Sequence, residues 1–105
     1  MGTVDTIKKQ IADNPVLLYM KGTADAPKCG FSQAAVGALK KAGIEFAYID
    51  VLAAPFIRER LPEVSQWPTF PQLFINGELV GGSDVICESV DDGSLLKVLQ
   101  QTVEH

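Results

Sequence analysis

Asn76-Gly77 constrains this chain more than any other pair of its residues. Leu73-Phe74-Ile75 comes before it and Glu78-Leu79-Val80 after it. An Asn-Gly pair between two strand-like runs is the strongest short-range hairpin signal, because both residues tolerate the left-handed backbone of a tight turn. The C-terminal half must therefore contain two antiparallel strands, and Gly81-Gly82 ends them. The N-terminal half reads differently. Val16-Leu17-Leu18-Tyr19-Met20 is a continuous apolar run, as a strand buried on both faces should be.

Helices surround these strands. Val4, Ile7 and Ile11 share one helical face, and Asn14-Pro15 ends that helix. Residues 31–42 read as a second helix, with Ala35, Ala38, Leu39 and Ala42 inward and Gly43 as its stop. Residues 46–51 form a second strand. Pro55 suits the first turn of a short helix reaching Leu61, and Pro62 is expected to prevent its continuation. Ser83 or Asp84 can cap a further helix, and Ser94 a last one through Val103. Strand, helix and strand in succession make a parallel unit. With the hairpin added, an α/β fold follows: a four-stranded mixed sheet flanked by helices, with an extra helix at the N-terminus.

The chain has 105 residues, 47% of them hydrophobic. That fits one domain able to bury a core without disulfides or a structural metal. The net charge of −4 argues against a nucleic-acid binder, which needs a basic face. No apolar run approaches the ~20 residues of a membrane span, and residues 1–15 lack the apolar core of a signal peptide. Two cysteines are too few for a disulfide framework, so a reducing cytoplasm is expected. Residues 1–6 formally fit a myristoylation pattern, which reads as coincidence or a cloning junction because the pattern is short and Asp5 sits inside it. His105 is the only histidine, which disfavours a Cys-His catalytic pair and a histidine-rich metal site.

Cys29-Gly30-Phe31-Ser32 looks like a thiol-redox site with one thiol missing. A dithiol site places Cys-x-x-Cys at a helix mouth, so that the second thiol resolves a mixed disulfide made by the first. Ser32 cannot do that, so Cys29 must borrow a thiol from outside the chain. A free cysteine is often just a small buried hydrophobe. Cys29 instead follows a polar loop and opens a helix whose unpaired N–H groups favour an anion. Those groups, with Lys21 or Lys28 nearby, should lower its pKa. Trp67-Pro68-Thr69-Phe70-Pro71 precedes a strand. A cis bond at Phe70-Pro71 would turn the Phe70 backbone outward, ready to pair with an extended peptide. Gly81-Gly82-Ser83-Asp84 leaves room for a carboxylate on a helix N-terminus, and Asp84 could accept a bond from an ammonium. Lys21 lies at the end of a buried strand beside the site. The place of Arg58 depends on how its short helix packs. Cys87 is expected in the core beside Val85 and Ile86, with no disulfide to Cys29.

These residues resemble the monothiol glutaredoxins of the CGFS type over nearly the whole chain. The marks are Leu18-Tyr19-Met20-Lys21-Gly22, Cys29-Gly30-Phe31-Ser32, Trp67-Pro68-Thr69-Phe70-Pro71-Gln72-Leu73, Asn76-Gly77-Glu78-Leu79-Val80-Gly81-Gly82 and Asp84. The loop between Lys21 and Cys29 is longer than in dithiol glutaredoxins, as in the monothiol class. The resemblance implies a thioredoxin fold, glutathione in a groove and a [2Fe-2S] cluster bridging two subunits. Carried over by position, Cys29 would be the catalytic thiol and cluster ligand. Lys21 and Arg58 would hold the glycine carboxylate of glutathione, Phe70 would pair its backbone with the glutathione cysteine, and Ser83 and Asp84 would bind the γ-glutamyl end. Partners implied are a second copy of the chain, a BolA-like protein and apo iron-sulfur proteins. Roles in cluster storage, transfer and iron homeostasis are implied too. The alternative is a monothiol oxidoreductase acting on protein-glutathione mixed disulfides. Many members carry a second cysteine where this chain has Ser83, so disulfide-based cycling is less expected here.

Overall fold

The computed structural model describes residues 2–103, and Met1 and His105, on which the myristoylation and histidine arguments rest, lie outside the described residues. Nine elements follow in order: α1 (Thr3–Asp13), β1 (Val16–Met20), α2 (Gly30–Lys41), β2 (Ala47–Asp50), α3 (Pro55–Ser65), β3 (Gln72–Ile75), β4 (Glu78–Gly81), α4 (Ser83–Asp91) and α5 (Ser94–Val103). The strands form one mixed sheet in the order β2-β1-β3-β4. β1 runs parallel to β2 and antiparallel to β3, and β3 pairs antiparallel with β4.

Strand alternation explains why β1 is apolar throughout. Successive side chains point to opposite faces, and both faces are covered. Leu18 and Met20 join Leu73, Ile75, Ala35, Val36, Leu39, Ile86 and Leu95 in a core beneath α2, α4 and α5. Leu17 and Tyr19 join Ile7, Ile11, Ile57, Leu61 and Phe74 in a second core beneath α1 and α3. The Tyr19 hydroxyl donates to Gln10 Oε1 at 2.9 Å, which satisfies a buried polar group and ties β1 to α1. The Asn14 amide donates to the Gln10 carbonyl at 2.9 Å and closes the end of α1. At the hairpin, Asn76 and Gly77 both take positive φ, 52° and 84°, as the two-residue turn requires.

Three boundaries differ from expectation. Pro62 does not end its helix: α3 continues through it to Ser65 and stops at Gln66, which turns left-handed at φ 58°. A helix-interior proline costs about 3 kcal/mol, and burial of Ile57 and Leu61 on one face of α3 offsets it. The N-cap of α4 is Gly82, with no side-chain cap bond, so Ser83 and Asp84 already lie inside the first turn. Ser94 is the first residue of α5, and the Asp92 carboxylate accepts its N–H at 2.8 Å. Cys87 also departs from its expected place. It is half-buried against the Ala34 carbonyl, and its neighbour Val85 is exposed, so only Ile86 of that trio belongs to the core.

Candidate functional site

β1 delivers the chain to the site, and the loop after it folds back on itself. Lys28 N–H donates to the Lys21 carbonyl at 2.9 Å, and Thr23 and Ala26 bond each other inside that ring. Gly22 bridges to Pro27. The Asp50 carboxylate at the end of β2 accepts the N–H groups of Gly22 and Leu52, each at 2.9 Å. Residues 22–28 thus form a closed side loop pinned to the sheet, and none of them lines the groove below.

Cys29 follows as the N-cap of α2, half-buried and in extended backbone. It makes no side-chain cap bond. The Ser32 N–H nevertheless faces the sulfur and does most to hold the thiol pKa below its ordinary value; burial opposes it, and the Phe31 N–H, the Lys21 ammonium and the Ser32 hydroxyl add to the lowering. A helix N-terminus stabilises a thiolate in this way. Lys21 is the assisting cation; Lys28 is not among the groups responsible. Ser32, in the place of the missing second thiol, is 0% exposed. Its Oγ accepts the Lys21 N–H at 3.1 Å, so this hydroxyl braces the end of β1 against the first turn of α2.

A groove of about 570 Å³ opens beside Cys29, within the range of small-molecule sites. All six expected site residues line it: Lys21, Cys29, Arg58, Phe70, Ser83 and Asp84. α3 brings Arg58 and Pro62 to one side, and residues 67–70 form a wall. The Phe70-Pro71 peptide in that wall is cis, as expected. The N-terminus of α4 closes the far end with Gly82, Ser83, Asp84 and Val85. One face thus offers a thiol of lowered pKa, two cations, a carboxylate and a helix N-terminus. That set complements a molecule with a thiol, two carboxylates and an ammonium. Sequence reasoning did not find Gln72, fully buried, whose amide holds the groove wall. Its signals were its place in the Trp67–Leu73 motif and a polar residue opening an otherwise apolar strand.

The fold and the lone activated thiol define a thioredoxin-fold protein with a single cysteine at its groove. The glutaredoxin family profile matches residues 16–80. The chain is 51% identical over 100 residues to Glutaredoxin 4 of Escherichia coli (strain K12), covering 95% of this chain and 87% of that protein. It is 50% identical to Glutaredoxin 4 of Haemophilus ducreyi, covering 97% and 95%. Among solved structures, reduced apo GrxS14 of poplar matches with a TM-score of 0.80 at 40% identity, over 96% of this chain and 93% of that one. The mature form of 1CGrx1 from Trypanosoma brucei matches with a TM-score of 0.83 at 39% identity, over 93% and 69%. The chain belongs to the glutaredoxin family, and Ser32 in place of a second cysteine makes it a monothiol member. Glutathione is the small-molecule partner of that family.

Proposed function

We propose that this monothiol glutaredoxin binds glutathione in the groove beside Cys29 and carries a [2Fe-2S] cluster between two copies of itself, as cargo for apo iron-sulfur proteins. The observation that carries this proposal is the solitary Cys29 thiol, its pKa lowered, at the mouth of a groove with charges complementary to glutathione. A [2Fe-2S] cluster takes four thiolates. Among the described residues, no group of three or more His, Cys, Asp or Glu could hold a metal ion. Of the two cysteines only Cys29 lines the groove, so one chain supplies one thiolate there, and two chains with two glutathiones supply the full set. Two of those ligands are diffusible, which suits release to a recipient and to a BolA-like partner, and hence storage, transfer and iron homeostasis in a reducing cytoplasm.

In the groove, Lys21 and Arg58 would take the glycine carboxylate of glutathione, and the Phe70 backbone its cysteine residue. Ser83, Asp84 and the N-terminus of α4 would take the γ-glutamyl end. The test is anaerobic reconstitution with iron, sulfide and glutathione. Wild type is expected to become coloured and dimeric, and Cys29→Ser neither. A full cluster in Cys29→Ser would refute the proposal.

The lowered Cys29 pKa favours a second reading, a monothiol oxidoreductase. The Cys29 thiolate attacks the glutathione sulfur of a protein-glutathione disulfide. That S–S bond breaks, and the protein thiolate leaves and takes a proton from water. A second glutathione thiolate then attacks the Cys29-glutathione disulfide, releasing glutathione disulfide and restoring the Cys29 thiolate. A deglutathionylation assay separates the two activities: near-zero turnover supports the carrier, and rapid turnover the enzyme.

A further inference from the structure

Gln72 opens β3 opposite Tyr19 and is 0% exposed. A fully buried amide is costly unless its groups are hydrogen-bonded. Its Nε2 donates to the Trp67 carbonyl at 2.8 Å and to the Thr69 carbonyl at 3.1 Å. Both neighbours are acceptors, so the nitrogen must face them. Its Oε1 has no partner among the described residues. The amide is therefore held for its two donors and not as part of a closed network.

Those two carbonyls belong to the groove wall, where Trp67, Pro68, Thr69 and Phe70 all line the cavity. The wall has no regular secondary structure. Pro68 and Pro71 within and beside it lack N–H donors. Side chains hold it instead. Ser65 Oγ accepts the Trp67 N–H at 3.2 Å, and Gln72 holds the carbonyls of Trp67 and, further along, of Thr69. Across the groove, Gly82 packs close to the same wall. A Cβ there would stand 3.2 Å from Trp67 Nε1 and 3.4 Å from the Pro71 carbonyl. The placement of the wall therefore sets the gap between Phe70 and the N-terminus of α4.

We infer that Gln72 is a positioning residue: acting through the Trp67 and Thr69 carbonyls, it holds the wall that presents Phe70 to the ligand while touching no ligand itself. This inference rests on the groove being the glutathione site. Trp67 is the only tryptophan of the chain and lines the groove, so its emission reports on both wall and occupant.

The test compares wild type with Gln72→Met, which keeps the length of the side chain and removes both donors. Glutathione is titrated against Trp67 emission, and the pH profile of Cys29 alkylation by iodoacetamide is recorded in parallel. Gln72→Met is expected to weaken glutathione binding about tenfold, because a wall no longer held in place must be ordered when the ligand binds. The alkylation profile should stay where it is, because Ser32, Phe31 and Lys21 set it and neither Gln72 nor the wall is among the groups responsible. Unchanged affinity in the variant overturns the inference. So does a profile that shifts with the affinity, which marks general loosening. If wild type itself fails to bind glutathione, the proposed function is refuted, and acrylamide quenching of Trp67 decides the role of Gln72. Greater quenching in Gln72→Met supports it, and equal quenching overturns it. If Gln72→Met does not fold, Gln72→Asn, with its donors one methylene short, is read by the same measurements.

Discussion

Gly22→Ala tests how the side loop holds the thiol in place. Gly22 sits at φ +93°, and a Cβ there would lie 2.6 Å from the Ala26 carbonyl oxygen and 2.7 Å from the Lys28 nitrogen. The left-handed backbone alone costs an L-residue about 1–2 kcal/mol. The clash is with backbone, so the loop must move. That breaks the Lys28 N–H to Lys21 carbonyl bond and the Gly22 N–H to Asp50 bond, each about 0.5–1.5 kcal/mol. The sum is about 2–5 kcal/mol, or a fall in melting temperature of about 8–20 °C for a chain of this size. Gly43→Ala is the control for the first part alone: φ is +72° and nothing lies within 4 Å, so about 1–2 kcal/mol is expected. Gly37→Ala controls for composition. It lies inside α2 with open space around it, and should stabilise by about 0.5–1 kcal/mol. Thermal unfolding followed by circular dichroism ranks the three. Equal losses for Gly22→Ala and Gly43→Ala would show that the packed loop contributes nothing, and the account of how Cys29 is held would be wrong.

Other expectations follow from single contacts. Alkylation of Cys29 by iodoacetamide should have its pH midpoint below that of free cysteine, and Lys21→Ala should raise it more than Ser32→Ala, since the hydroxyl is the smallest contributor. The same lowered pKa makes a stabilising contribution that is present above the pKa of the unfolded thiol and lost as pH falls through the folded one; Cys29→Ser should remove that slope from urea unfolding measured downward from the ordinary thiol pKa of about 8.5. Burial raises the Tyr19 pKa, so its contribution is present below the ordinary tyrosine pKa of about 10 and is lost as pH rises beyond it. Tyr19→Phe should flatten that alkaline decline and cost about 1 kcal/mol at neutral pH through the lost bond to Gln10. Pro62→Ala restores a helix N–H and should stabilise the chain by about 1–3 kcal/mol in thermal unfolding.

The sheet was legible because its signals are local. The Asn76-Gly77 turn, the apolar run of β1 and the proline that follows α1 each act within a few residues, and all lie where the sequence puts them. The six expected site residues were legible as a family pattern, and they do converge on one groove. What the sequence hid depends on long-range packing. Continuation of α3 through Pro62 is decided by burial of Ile57 and Leu61, which no local rule weighs. Gly82 caps α4 at a position where Trp67 and the Pro71 carbonyl leave little room for a side chain. Gln72 and Asp50 read as ordinary polar residues until their partners, at positions 67 and 69 or 22 and 52, come within bonding distance.

Ser32 changes what the missing thiol means. A hydroxyl at this position accepts the Lys21 N–H at 3.1 Å and also helps to lower the Cys29 pKa. A thiol is larger and a weaker acceptor, and the position is fully buried. Serine here therefore does more than omit a nucleophile. It fastens Lys21, one of the two groove cations, to the helix turn that activates Cys29. The thiolate keeps a fixed geometry toward the groove, and the second sulfur has to arrive from outside through that same opening. A site so arranged has one sulfur at the groove and no second thiol within the Cys29-Gly30-Phe31-Ser32 turn to displace a sulfur bound to it.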